Sequence, residues 1–105
     1  MSNSPTQALS VQQLRELVER NEELVIVDVR SPEEYAAGHV EGAVNIPANQ
    51  LEARSEEWSR ETTVVTVCNH GGPRSCGAAE KLREMGFEAA PLEGGTHGWL
   101  EAVKR

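Results

Sequence analysis

Leu24-Val25-Ile26-Val27-Asp28-Val29 decides the fold, because it is a run of apolar, mostly β-branched residues with no polar alternation before Asp28. A strand with one wet face alternates. An unbroken run fits a strand buried on both faces of a helix-covered parallel sheet, so this stretch is read as the central strand. Upstream, Ser10 and Gln13 form a capping box, and Val11, Leu14, Leu17 and Val18 recur at helical spacing. That predicts an amphipathic helix over about 11–20, ended by Asn21, with a frayed tail at 1–8 and the domain proper at 9–105. Downstream, Ser31-Pro32-Glu33-Glu34 combines an N-cap, a proline at the first helical position and a second capping box. A short helix should run from there to Ala37 and stop at Gly38.

The alternation continues to the end of the chain. Ala43 to Ile46 reads as a short strand closed by Pro47, and a polar helix follows over about 49–58 with Leu51 and Trp58 inward. Thr62-Thr63-Val64-Val65-Thr66-Val67 is a second strong strand run. After a loop with Gly71, Gly72 and Pro73, a helix carrying Ala78, Ala79, Leu82 and Met85 ends at Gly86. Phe87 to Leu92 reads as a weaker strand, placed at an edge by Pro91, and Gly94-Gly95 leads into a terminal helix around Trp99. Strands and helices alternating over such short connections predict a single α/β domain, an open parallel sheet with helices on both faces.

Composition narrows the function classes. The 105 residues suit one domain, and ten Lys plus Arg against seventeen Asp plus Glu give a net charge of −7. That balance, with four aromatic residues, argues against nucleic acid as a partner. The longest apolar run, Leu24 to Val27, is far below the roughly 20 residues of a membrane span, so no membrane partner is expected. Two cysteines and a polar, uncharged start without a secretory apolar stretch lead to a cytoplasmic expectation. Eight of the ten cations are arginine, the residue suited to fixed oxyanion recognition.

In open α/β sheets ligands sit beyond the carboxyl ends of the strands. This directs attention to Val67-Cys68-Asn69-His70-Gly71-Gly72-Pro73-Arg74-Ser75, where a buried strand ends and a helix starts near Arg74 or Ser75. A glycine-rich strand-loop-helix turn lets successive N–H groups converge, and the helix N-terminus adds partial positive charge. Arg74 would close that ring with its fork. The groups that bind an anion also stabilise a thiolate, which makes Cys68 a nucleophile candidate, against the plain alternative of a packed strand-end cysteine.

Four segments together resemble the rhodanese-like sulfurtransferase superfamily, in its single-domain form, over about residues 9–103. They are Val27-Asp28-Val29-Arg30 with Glu33-Glu34-Tyr35; Gly38 to Pro47; the Cys68 loop; and Leu92-Glu93-Gly94-Gly95 with Trp99. The resemblance implies that Cys68 takes a sulfane sulfur from a donor such as thiosulfate and passes it, as a persulfide, to cyanide or a thiol. A protein thiol is a further candidate acceptor. It also implies that the backbone of Asn69, His70, Gly71 and Gly72, with the Arg74 side chain, surrounds the transferred group, and it calls for no cofactor.

One departure is plain: five residues separate Cys68 from Arg74, where active sulfurtransferases of the family usually have four. Five is the spacing of related cell-cycle phosphatases and some arsenate reductases. A Cys-x5-Arg oxyanion enzyme therefore stays open beside the sulfurtransferase, as does a non-enzymatic sulfur-carrier or regulatory module. Against the longer cradle, Pro73 has no N–H to add, and no Asp or Glu lies within 69–73 to act as general acid.

Asp28, Arg30 and Glu41 are read as structural support, with Glu41 a partner for Arg30. Cys76 is read as a small helix residue facing the sheet, its role as a resolving thiol being the alternative. His39 should bond locally, Trp99 should pack in the core, and His97 is a candidate for the pocket wall. Cys68 and His70 lack companions at metal-ligand spacing, so no metal is expected.

Overall fold

A computed structural model describes residues 8–20 and 23–103. Its elements in chain order are α1 (Val11–Arg20), β1 (Leu24–Asp28), α2 (Pro32–Ala37), β2 (Val44–Asn45), α3 (Ala48–Ser55), β3 (Thr63–Val67), α4 (Pro73–Glu84), β4 (Glu88–Pro91) and α5 (Gly95–Val103). The frayed tail expected at 1–8, apart from Ala8, and the helix stop at Asn21 lie outside the described residues.

All four strands are parallel, in the order β2-β1-β3-β4. The two β-branched runs hold the interior positions because only they are apolar on both faces. In β1, Val25 and Val27 pack into one hydrophobic layer while Leu24 and Ile26 pack into the other. Leu51, Ala78, Ala79 and Leu82 from α3 and α4 cover the first layer. Leu14 of α1, Trp99 of α5 and Tyr35 of α2 cover the second. Leu14 and Leu82 are fully buried, and each such side chain stabilises the fold by about 1.5–3 kcal/mol.

Both capping boxes form. The Ser10 hydroxyl accepts from the Gln13 N–H at 3.0 Å while the Gln13 amide oxygen accepts from the Ser10 N–H at 2.9 Å. Ser31 and Glu34 reciprocate in the same way at the start of α2. Pro91 sits in the edge strand, paired with Thr66. Its missing N–H lies on the outer side with its carbonyl, which accepts from the Leu9 N–H at 2.8 Å, so no bond of the β3–β4 ladder is lost. The helix expected over 49–58 ends at Ser55, whose buried hydroxyl turns back onto the Glu52 carbonyl at 2.8 Å. Trp58 still faces inward, edge-on to Phe87 at 5.9 Å between ring centres.

Register sets the functional edge. Asp28 of β1 lies beside Val67 of β3, and the Val29 N–H donates to the Val67 carbonyl at 3.0 Å. Arg30 and Cys68 therefore emerge together at the carboxyl end of the two central strands.

Candidate functional site

Cys68 follows the last residue of β3, is buried at 3% exposed, and opens the loop Asn69 to Gly72 that leads into α4. Gly72 is the N-cap of α4 and Pro73 its first helical residue, so the proline removes a donor that no helical bond would have used. The Gly72 N–H donates to Cys68 Sγ at 3.1 Å. The thiol donates to Ser75 Oγ at 3.2 Å, and that hydroxyl donates on to the Gly72 carbonyl at 3.3 Å. A hydroxyl can rotate, so Ser75 can equally donate to a thiolate. Burial pushes the Cys68 thiol up. Hydrogen bonds from the Ser75 hydroxyl and from the backbone of Ser75, Gly72 and Gly71 outweigh burial, and the thiol lies below its ordinary value. The site favours the nucleophilic form of sulfur.

Ser75 is the residue that sequence reading passed over, treating it only as a helix start. It is fully buried, and Thr66 Oγ1 donates to its carbonyl at 2.7 Å, locking the first turn of α4 to β3. Its signal was available: a small polar residue one turn into a helix, at the position facing the strand that delivers the cysteine. Cys76 corrects the opposite expectation. It is exposed and does not face the sheet, because Ser75 holds the inward position; its Sγ lies 3.7 Å from the Gly71 carbonyl.

The loop is shaped from behind by α5. The Thr96 N–H donates to the Cys68 carbonyl at 2.8 Å and the His97 N–H to the Asn69 carbonyl at 3.0 Å. The strands' carboxyl edge comes so close to α5 that Gly95 has no room for a side chain: a Cβ there would run into the Cys68 carbonyl oxygen. Gly71, at φ +79°, presses on the Leu92–Gly94 turn, where a Cβ would meet the Gly94 nitrogen and the Leu92 oxygen at 3.0 Å. His70 stacks on His97 with ring centres 4.3 Å apart, both exposed at the rim. Trp99 packs in the core as expected, and His39 bonds locally to the Tyr35 carbonyl at 2.8 Å.

Arg30 and Asp28 form a buried pair beneath the loop. Arg30 Nε and Nη2 donate to the Asp28 carboxylate at 2.7 to 3.1 Å, and the remaining donors reach the Gly38 carbonyl at 2.7 Å and Asn69 Oδ1 at 3.0 Å. Glu41 is not among these acceptors. It is exposed, and the expectation that it partners Arg30 is corrected: Asp28, two residues away on the same buried strand end, takes the fork.

Asn69 carries the network onward. Its amide oxygen accepts from Arg30, and its amide nitrogen donates to Glu34 Oε2 at 3.0 Å. Glu34 then receives the Arg74 fork, Nη1 to Oε1 at 3.1 Å and Nη2 to Oε2 at 3.4 Å. Arg74 was expected to close the ring around Cys68; its fork instead closes on Glu34, a planar carboxylate matched to it. Hydrogen bonding by Arg74, then by the Ser31 N–H and the Asn69 amide, holds the Glu34 carboxyl down to about 2. In the sequence Glu34 was legible only as a capping residue. Among the described residues no three His, Cys, Asp or Glu side chains gather in a metal-binding group.

The family model "Rhodanese-like domain" matches residues 10–102. The Bacillus subtilis protein named "Putative sulfurtransferase YtwF" is 34% identical over 96 residues, covering 91% of this chain and 92% of that protein. A second B. subtilis protein, "Putative sulfur carrier protein YrkF", is 35% identical over 80 residues, 76% of this chain and 43% of that longer protein. Among solved structures, a rhodanese-related protein from Thermoplasma volcanium superposes with a TM-score of 0.78 at 28% identity, covering 91% of this chain and 92% of the other.

Proposed function

The chain belongs to the rhodanese-like family, and on that premise we propose that it is a sulfurtransferase whose Cys68 carries the sulfur between donor and acceptor. The observation that carries the proposal is the seat of Cys68 Sγ, buried and met by the Gly72 N–H at 3.1 Å and Ser75 Oγ at 3.2 Å, at the foot of α4. Those donors favour thiolate over thiol.

With thiosulfate as donor, the Cys68 thiolate attacks the outer sulfane sulfur, the sulfur–sulfur bond breaks, and sulfite leaves with the bonding electron pair. Cys68 is then a persulfide. An acceptor, cyanide or a thiolate, attacks the outer persulfide sulfur and returns Cys68 as thiolate, closing two half-reactions of covalent catalysis. The N–H groups of the loop from Asn69 to Gly72 stabilise the charge on the bound group, Arg74 eases the approach of an anionic donor by neutralising Glu34, and the Arg30–Asp28 pair supports the loop from below. Acceptors include small thiols and thiol-bearing proteins. The cytoplasmic setting proposed from the sequence suits that chemistry, which needs reduced cysteines; no described helix is long and apolar enough to cross a membrane.

The five-residue spacing keeps an oxyanion hydrolase or reductase as the second reading. Glu34, the carboxylate bonded to Asn69 and Arg74 at the loop, is held down to about 2 and has no proton to give a leaving group at neutral pH. That favours sulfur transfer, whose leaving sulfite needs no proton.

The test is the intact mass of the protein after thiosulfate. A reducible gain of about 32 Da that Cys68→Ser abolishes supports the reading. An unchanged mass combined with turnover of an aryl phosphate or arsenate replaces it with the oxyanion enzyme. Persulfide formation without multiple turnover to any acceptor identifies a carrier.

A further inference from the structure

The charges around the loop cancel in pairs. Arg30 is matched by Asp28 within 2.7 Å, and Arg74 is matched by Glu34 at 3.1 Å. The Glu34 carboxylate is also fixed on its other sides. Its Oε1 accepts from the Ser31 N–H at 3.0 Å and the Ser31 hydroxyl at 3.2 Å, and its Oε2 accepts from Asn69 at 3.0 Å. Glu34 is thus an anion fixed on several sides at the edge of the cradle, whereas Arg74 is an exposed cation whose fork bonds to it. A ligand at Cys68 meets backbone N–H groups and a neutral ion pair in place of a free guanidinium, in a chain of net charge −7.

We propose that Glu34 is the charge-selecting residue of the cradle: by holding Arg74 in a neutral pair, it disfavours doubly charged oxyanions against singly charged sulfur donors of the same shape. The inference deepens the sulfurtransferase reading and rests on its placement of the donor at Cys68. Thiosulfate brings two charges at neutral pH, as phosphate and arsenate do in their dianionic forms, and these dianions are repelled by the fixed carboxylate. A thiosulfonate or an ionised persulfide brings one, and the N–H groups with Ser75 suffice for it. Glu34 thereby also weighs against the phosphatase chemistry that the five-residue spacing would admit. Repulsion through water obeys screening, so the selectivity must fade with added salt.

Calorimetric titration separates charge from shape without requiring turnover. Thiosulfate and methanethiosulfonate share the sulfonyl-bound sulfur and differ by one charge; both are titrated into Cys68→Ser and into Cys68→Ser/Glu34→Gln. Glutamine preserves the capping box, because its amide oxygen still accepts from the Ser31 N–H, and circular dichroism checks the fold. The double variant should bind thiosulfate about fivefold more tightly and methanethiosulfonate about twofold, a gap that closes in high salt. Equal factors for the two ligands, no change, weaker thiosulfate binding, or no binding of either ligand by both proteins would overturn the inference. Because sulfur transfer is not needed here, equal factors leave the persulfide reading standing. A selective gain without any mass increase on thiosulfate removes sulfur transfer alone.

Discussion

Ser75→Ala isolates the group that the loop uses to hold a thiolate. The hydroxyl lies 3.2 Å from Cys68 Sγ in a fully buried residue. A hydrogen bond to a charged group stabilises by roughly 1.5–3 kcal/mol, which corresponds to about a tenfold to hundredfold change in the thiolate population below its midpoint. Losing it leaves burial, which disfavours the charge, opposed by the backbone N–H groups of Ser75, Gly72 and Gly71 and by the charge of Arg74. The thiol midpoint must therefore move upward. Alkylation by iodoacetamide as a function of pH reads this directly, in a Cys76→Ser background because Cys76 is exposed and would react in parallel. At neutral pH the variant should be alkylated at least tenfold more slowly, while the plateau rate at high pH stays close to that of the parent. Because the carbonyl of residue 75 still accepts from Thr66, the helix start should hold, and the unfolding midpoint should fall only modestly. An unmoved alkylation midpoint would refute the assignment of Ser75 as a thiolate donor.

Other consequences can be checked alongside. Arg30→Ala strands the fully buried Asp28 carboxylate and should cost roughly 3–5 kcal/mol in urea unfolding; a loss under about 1 kcal/mol would mean the pair contributes little. Arg74→Ala leaves Glu34 unopposed beside the cradle, so the KM for thiosulfate should rise while kcat changes less; an unchanged KM removes Arg74 from donor attraction. Glu34, held from 4.5 down to about 2, binds fewer protons folded than unfolded between those values. Its contribution to stability is complete above that window and is lost as pH falls through it. The unfolding midpoints of the parent and Glu34→Gln should converge on acidification, and a difference independent of pH would contradict the ion pair.

Much of this architecture is written in local pattern. The two β-branched runs announce interior strands because neither shows the charged or polar alternation of a strand with one wet face, and the capping boxes mark helix starts to the residue. Cys68 was legible because a strand end, a glycine pair and a helix start fall within one short loop. What was not legible depends on tertiary approach. Glu34 and Arg74 are forty residues apart and meet only because α2 and α4 begin at the same edge of the sheet. Glu41 looked as good a partner for Arg30 as Asp28 did, since sequence gives charge but not direction. Ser75 and Cys76 are adjacent and small, but Ser75 stands three, four and seven residues before the buried Ala78, Ala79 and Leu82, so helical spacing already marked Ser75, not Cys76, as the inward one.

The two bonds from the start of α5 to the loop carbonyls have a consequence for how the site comes into being. A trans peptide is a rigid plate with its carbonyl and the following N–H on opposite edges. Pinning the Cys68 and Asn69 oxygens to the Thr96 and His97 nitrogens therefore turns the N–H groups of Asn69 and His70 away from α5. The last helix, which offers no side chain to Cys68, acts as a jig that sets the tilt of two plates before any ligand arrives. The entropy of winding the loop is spent when the chain folds, leaving little to be lost when a donor binds. Cutting the chain before Gly95 would keep every residue of the loop and its nucleophile, and yet release the plates that give that loop its polarity.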